Sequence, residues 1–205
     1  QWHPHLVSDQ LQSWSIDQAL AEIDGLSLSF APMTRTLQLL AIRPALRSDA
    51  EAAFNIRRQA IRHQCIEVYT PEQVRIWTEM PLTDGYRDSV QDNYQLACYG
   101  AQPVATGFID LQSGELGALF VLPAYMGHGI GRRMLLHLER LAFEAGITDI
   151  HLDATPNAAP FYRHCGYQGT AQAIYLSPTG LELPCIPMCK CLGAEVLPVP
   201  QRVAR

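Results

Sequence analysis

Leu119-Phe-Val-Leu-Pro-Ala-Tyr-Met-Gly-His-Gly-Ile-Gly-Arg-Arg133 joins an apolar strand to an amphipathic helix through three alternating glycines, then places two arginines. Gly127, Gly129 and Gly131 lack a Cβ, so the backbone can turn successive N–H groups toward one point. The helix behind them adds its unpaired first-turn amides and the positive end of its dipole, with Arg132 and Arg133 alongside. Such a turn is a cradle for a pyrophosphate. Its G-x-G-x-G spacing and its place past mid-chain differ from the early G-x-G-x-x-G of a dinucleotide-binding fold. The Gly-Lys-Ser/Thr ending of a P-loop is absent as well.

A second block decides among the remaining uses of a phosphate cradle. Asn157-Ala-Ala-Pro-Phe-Tyr-Arg-His-Cys-Gly-Tyr167 follows a short apolar strand at 150–154 and reads as one and a half helical turns ended by Gly166. Together the two blocks resemble the GNAT superfamily of acetyl-CoA-dependent N-acetyltransferases. In that family the first block is V-x-P-x-x-(Gln/Arg)-x-x-Gly-x-(Gly/Ala), and Val121, Pro123, Gly129 and Gly131 fit it. The second is Asn-x-x-Ala-x-x-Phe-Tyr-x-x-x-Gly-Phe, matched by Asn157, Phe161, Tyr162, Gly166 and Tyr167 with slippage at the alanine. Met126 departs from the pattern: it stands where the family has Gln or Arg, which removes a side-chain phosphate contact and leaves the backbone cradle intact.

The resemblance implies an α/β fold, a GNAT-like mixed, mostly antiparallel sheet flanked by helices, over residues 37–192. An N-terminal extension, 1–36, and a C-terminal tail, 193–205, lie outside it. It also implies acetyl-CoA as cosubstrate, no metal, and direct transfer of the acetyl group to a primary amine of a small molecule or peptide. By the same resemblance Phe120 and Val121 present main-chain groups to the pantetheine arm and Asn157 meets that arm from the opposite strand. Gly127, His128, Gly129, Gly131 and Arg132 surround the pyrophosphate, His128 through its N–H. Tyr162 corresponds to the family's general acid beside the sulfur; on its residue type alone it is equally an aromatic of the core. Glu115 aligns with the catalytic glutamate of histone-acetylating relatives. A solvated turn carboxylate is the competing reading, and Asp110 or Asp153 are alternative bases acting through a water. The rival function is a non-catalytic acyl-CoA-binding sensor or regulatory domain.

Composition sets the bounds. A chain of 205 residues, 48% hydrophobic and 17% charged, holds one core of ordinary size. Its net charge of −5 gives no basic footprint for nucleic acid and suits a cationic or amine acceptor. No apolar run approaches the roughly 20 residues of a membrane helix, and residues 1–32 lack the basic start and apolar core of a leader. The expectation is a soluble cytoplasmic protein with no nucleic-acid or membrane partner, and a homodimer is left open. The six cysteines form no metal framework: Cys65, Cys98 and Cys165 read as buried thiols, and Cys185, Cys189 and Cys191 as strand packing rather than zinc ligands. Lys190 is the only lysine.

The pattern elsewhere predicts a helix at Trp14, Leu20 and Ile23 behind Ser15, a strand at 37–43 and a helix at 50–64. Thr70-Pro71-Glu72-Gln73 reads as a capping box opening a helix that carries Trp77. Strands follow at 93–99, 103–111 and 116–122. The helix after the glycine loop shows an Ile130, Met134, Leu138, Leu141 stripe and ends at Gly146. A strand at 147–154, the short Tyr162 helix and a hairpin of 167–176 with 181–191 complete the order. Tyr69, Trp77 and Tyr175 are the expected walls of an acceptor cleft.

Overall fold

A computed structural model describes residues 40–177 and 180–193. The expected helix near Trp14, the start of the first strand and the tail beyond 193 lie outside them.

Helix α1, Ala50–Gln64, turns Ala53, Phe54, Ile56, Ala60 and Ile61 inward. Helix α2, Pro71–Thr78, is opened by the expected capping box. Thr70 Oγ1 accepts from the Gln73 amide at 3.2 Å, and Gln73 Oε1 accepts from the Thr70 amide at 2.9 Å. Helix α3, Asp84–Asn93, is an element the sequence pattern does not announce. Its DGYRDSVQDN sequence has weak helix propensity, and only Val90 is buried. Thr83 Oγ1 caps the Tyr86 amide at 3.2 Å, Val90 and the Tyr86 ring pack on the core beside Phe54 and Tyr94, and exposed pairs from Arg47 to Asp88 at 2.9 Å and Asp84 at 3.0 Å add little.

Strands β1 (Leu40–Pro44), β2 (Tyr94–Tyr99), β3 (Gln102–Phe108) and β4 (Ala118–Val121) form one antiparallel sheet in that order. β3 and β4 are shorter than expected, because Asp110 turns the chain: its carboxylate accepts from the Gln112 amide and the Ser113 hydroxyl, both at 2.8 Å. A second antiparallel sheet has the order β5-β7-β6, from β5 (Asp149–Ala154), β6 (Ala173–Leu176) and β7 (Glu182–Cys191). The expected terminal hairpin is β6 with β7, in register from Ala173↔Cys185 to Leu176↔Glu182.

The two sheets touch where the chain leads into β4. Glu115 pairs in parallel with His151, through Leu116 N to His151 O at 2.9 Å and His151 N to Gly114 O at 3.1 Å. Gly114 has φ +79°, and a Cβ there would lie 2.5 Å from the Asp149 carbonyl, so only glycine allows the approach. Beyond this bridge β4 and β5 belong to separate sheets.

Helix α4, Ile130–Glu144, covers this junction, burying Ile130, Met134, Leu135, Leu138 and Ala142 against Val104, Ala105, Ile150, Leu152 and Met188. Leu141 of the expected stripe is only partly buried. Glu139, a carboxylate on the buried face, is 3% exposed. Lys190 of β7 accounts for it: Nζ donates to both carboxylate oxygens, at 2.8 and 2.9 Å, and lies over the Tyr167 ring. The chain's single lysine thus fastens α4 to the second sheet. Cys65, Cys98 and Cys185 are buried free thiols and Cys165 is half-buried, whereas Cys189 and Cys191 are exposed on β7 and contribute no packing, contrary to the strand-packing expectation.

Candidate active site

The glycine loop takes the form its sequence requires. Gly127 and Gly129 have φ of +78° and +75°, and a Cβ added to either meets nothing within 4 Å, so their freedom leaves open space above the main chain. Gly129 is the N-cap of α4. None of the amides from Gly127 to Arg132 finds an acceptor among the described residues. Gly131 differs, because it is already helical and a Cβ there would rest 3.7 Å from Val121 and Phe161, an ordinary contact. Two of the three glycines are therefore conformational necessities. The arginines divide too: Arg132 lines the groove, while Arg133 Nη2 donates to the Leu40 carbonyl at 3.1 Å and does not line it.

The groove, about 330 Å³, runs from Met126, Gly127 and Arg132 along Phe120 and Val121 to Asn157 and Tyr162. His128 is exposed beside it. Asn157 stands in the turn between β5 and helix α5 (Ala159–His164), with its Oδ1 buried and unpartnered and its amide against the Cys65 thiol. A buried oxygen without a donor is costly unless a ligand supplies one. These features fit the phosphates and amide-bearing arm of a coenzyme A: free amides and Arg132 at one end, an unpaired acceptor at the other.

Tyr162 projects from α5, which Gly166 ends at φ +93°. Its ring is buried edge-on to Phe161 and Tyr167, with centroids 5.1 and 5.5 Å away. Burial pushes its phenol well above the ordinary range, and the nearby Cys165 adds to this, so the hydroxyl keeps its proton. Tyr162 also lines a second cavity, of about 230 Å³, which runs along Ala118, Leu119 and Phe120 of β4. The two cavities share Leu119, Phe120, Ala158 and Tyr162.

Side chains build that second cavity. Arg57, Trp77, Tyr94 and Tyr175 line it together with Glu115, Asp153 and Cys185. All three expected walls, Tyr69, Trp77 and Tyr175, line it; Tyr69 also packs edge-on against Trp77, and its hydroxyl donates to the Pro184 carbonyl at 2.7 Å. Of the candidate bases, Glu115 and Asp153 face the cavity. Asp110 does not, because it is consumed in its own turn, where the Gln112 amide and Ser113 hydroxyl hold its carboxyl below the usual range. Burial, then the charge and hydrogen bond of Asp153, raise the Cys185 thiol above its ordinary value, which makes it a poor nucleophile. Arg57, Tyr94 and Cys185 were not foreseen. Arg57 did leave a trace: it lies three residues after Phe54 and four before Ile61, so a charge sits among core-facing positions of α1.

The description "Acetyltransferase (GNAT) domain" belongs to the family model that matches residues 65–176. YyaT of Bacillus subtilis (strain 168), an uncharacterised protein, is 32% identical over 89 residues, 42% of this chain; the match spans 60% of YyaT. Among solved structures, a GCN5-related N-acetyltransferase from Rhodopseudomonas palustris superposes with a TM-score of 0.68 at 25% identity, over 75% of this chain and 96% of that one. The PaiA N-acetyltransferase of Thermoplasma acidophilum, in complex with coenzyme A, gives 0.57 at 16% identity, over 75% and 99%. Among the described residues no helix is long and apolar enough to cross a membrane, and no cluster of side chains is suited to a metal ion.

Proposed function

The chain belongs to the GNAT acetyltransferase family, and from that premise we propose that it moves the acetyl group of acetyl-CoA directly onto a primary amine of a small molecule or peptide. The carrying observation is the meeting of the two cavities. A groove suited to a phosphorylated arm and a cleft lined by carboxylates and aromatics share Phe120 and Tyr162.

When bound, acetyl-CoA supplies the acetyl group and departs as a thiol. The amides of Gly127 to Arg132 and the Arg132 side chain hold the diphosphate, and Asn157 Oδ1 accepts from the arm. A protonated amine, with an ordinary pKa of about 10, cannot attack until it loses a proton. Glu115 or Asp153, directly or through a water, takes that proton on the cleft side. Tyr162, kept protonated by burial, donates at the sulfur as it leaves. An acyl-cysteine route has no support in the cleft, since Cys185 is held as the thiol.

The test is release of free CoA while a library of amines is presented with acetyl-CoA. Release with at least one amine, matched by appearance of the acetylated product, supports transfer. Tight CoA binding with no release for any amine would instead make the chain an acyl-CoA sensor.

A further inference from the structure

The cleft on the acceptor side holds two anions and one cation, and among the described residues the cation has no anionic partner. Arg57 is directed from α1 into the cavity and lies over the Trp77 ring, 5.8 Å from its centroid. Among the described residues it forms no ion pair and no hydrogen bond; the titratable groups nearest it are the phenols of Tyr86, Tyr94 and Tyr175, which are neutral at ordinary pH. Burial pulls its guanidinium below the ordinary value, which marks a charge lacking compensation.

Glu115 and Asp153 occupy the same cavity, and neither is paired with Arg57. Burial first, then the two carboxylates, raise the Tyr175 phenol and Arg57 lowers it, so all three charges lie within reach of that side chain. The cleft therefore carries two carboxylates, from the turn before β4 and from β5, and a guanidinium from α1 that is not ion-paired with either. A plain amine would satisfy the carboxylates and leave the guanidinium without a partner. The cavity, about 230 Å³, is smaller than the roughly 300–1,000 Å³ of drug-sized ligand sites, so the part of the acceptor inside it is small.

Building on the acetyltransferase reading, we propose that the acceptor is a small amine bearing its own carboxylate, of amino-acid size, with the carboxylate on Arg57 and the amine on the side of Glu115 and Asp153. The planar guanidinium matches a carboxylate in bidentate fashion. A phosphate dianion fits less well, because Arg57 is the only cation lining the cleft and the two carboxylates there repel a second negative charge. In the reaction the ammonium gives up one proton to Glu115 or Asp153 and thence to solvent. The freed nitrogen forms the C–N bond as the C–S bond breaks, and the nitrogen's second proton balances that taken by the departing sulfur. The products are an N-acetyl amino acid, free CoA and one proton.

The experiment uses the full chain with acetyl-CoA and each of the twenty common amino acids in turn. For the best of them, kcat/KM is compared with that of its amide and of its decarboxylated amine, and with O-phosphoethanolamine as the phosphate-bearing arm. Wild type is expected to favour the amino acid over both neutralised analogues by about 10–10²-fold, the range of a charge-assisted bidentate contact. In Arg57→Gln that ratio should collapse toward one, chiefly through KM, and Arg57→Lys should restore part of it. CoA affinity equal to wild type certifies that the variants are folded. Equal use of the analogues by wild type, a ratio that survives in Arg57→Gln, or preference for the phosphate compound each overturns the proposal. Acetylation of uncharged amines alone refutes this acceptor class and keeps the acetyltransferase reading. Should no amine be acetylated, that reading falls, and calorimetry of the amino acids against the CoA-bound protein still decides: binding lost in Arg57→Gln sustains the proposed subsite, and no binding refutes it.

Discussion

The glycine-loop end of the groove is shaped by main chain, and the cleft beside β4 is made of side chains. In the first, free amides and the missing Cβ atoms of Gly127 and Gly129 shape the space. In the second, Arg57, Trp77, Tyr94, Glu115, Asp153 and Tyr175 come from six separate elements or turns. A main-chain site tolerates changes of side chain and constrains only where glycine must stand. A side-chain site can be altered one residue at a time while the sheet stays as it is. On the proposed reading, the coenzyme end is what this chain shares with its family, and the acceptor end is its own.

The sharpest way to break that contrast is at Gly129. Gly129→Asp puts a carboxylate into open space beside the free amides, at φ +75°. Loss of two charge-assisted hydrogen bonds, at about 1.5–3 kcal/mol each, should weaken CoA binding by roughly 10²–10⁴-fold in calorimetry. Unchanged affinity in a folded variant would remove the loop from the site. In the cleft beside β4, Glu115→Gln should slow acetylation about 10-fold or more at pH values below the amine's pKa, and little above it, where free amine needs no base. A uniform loss across pH would mean positioning. No loss would pass the role to Asp153, testable by the same profile with Asp153→Asn. The smallest effect is expected at Gly131→Ala, since its Cβ would sit 3.7 Å from Val121 and Phe161. CoA affinity should stay within about threefold, and helix propensity favours alanine by up to about 1 kcal/mol. A large loss there would show that all three glycines are needed, and would blunt the distinction between loop and helix.

Legibility in the sequence follows the same division. The loop, the Thr70 capping box and the hairpin at the end of the chain announce themselves because a local backbone requirement selects a local residue type. Helix α3 is silent, since its propensity is weak and what anchors it, Val90 and the Tyr86 ring packed beside Phe54 of α1, depends on a distant segment. Glu139 and Lys190 are 51 positions apart, and neither is legible as buried without the other. Tyr162 was indicated by the resemblance. Arg57 was not, because a lone arginine on a helix is ordinarily solvated, and its meaning depends on a cleft assembled from distant segments.

The central claim is that chemistry occurs where the two cavities meet, at Tyr162. The most direct measurement is Tyr162→Phe, which keeps the ring packed on Phe161 and Tyr167 and removes the proton donor. With an identified acceptor, kcat should fall by about 10²-fold or more while CoA affinity and acceptor KM stay near wild type. The deficit should shrink as pH rises past the ordinary thiol value of about 8.5, where the thiolate leaves without a proton. Burial holds the Tyr162 phenol protonated throughout that window, so wild type keeps its donor. A turnover number equal to wild type, or a pH-independent loss accompanied by weakened CoA binding, would return Tyr162 to the core and contradict the account.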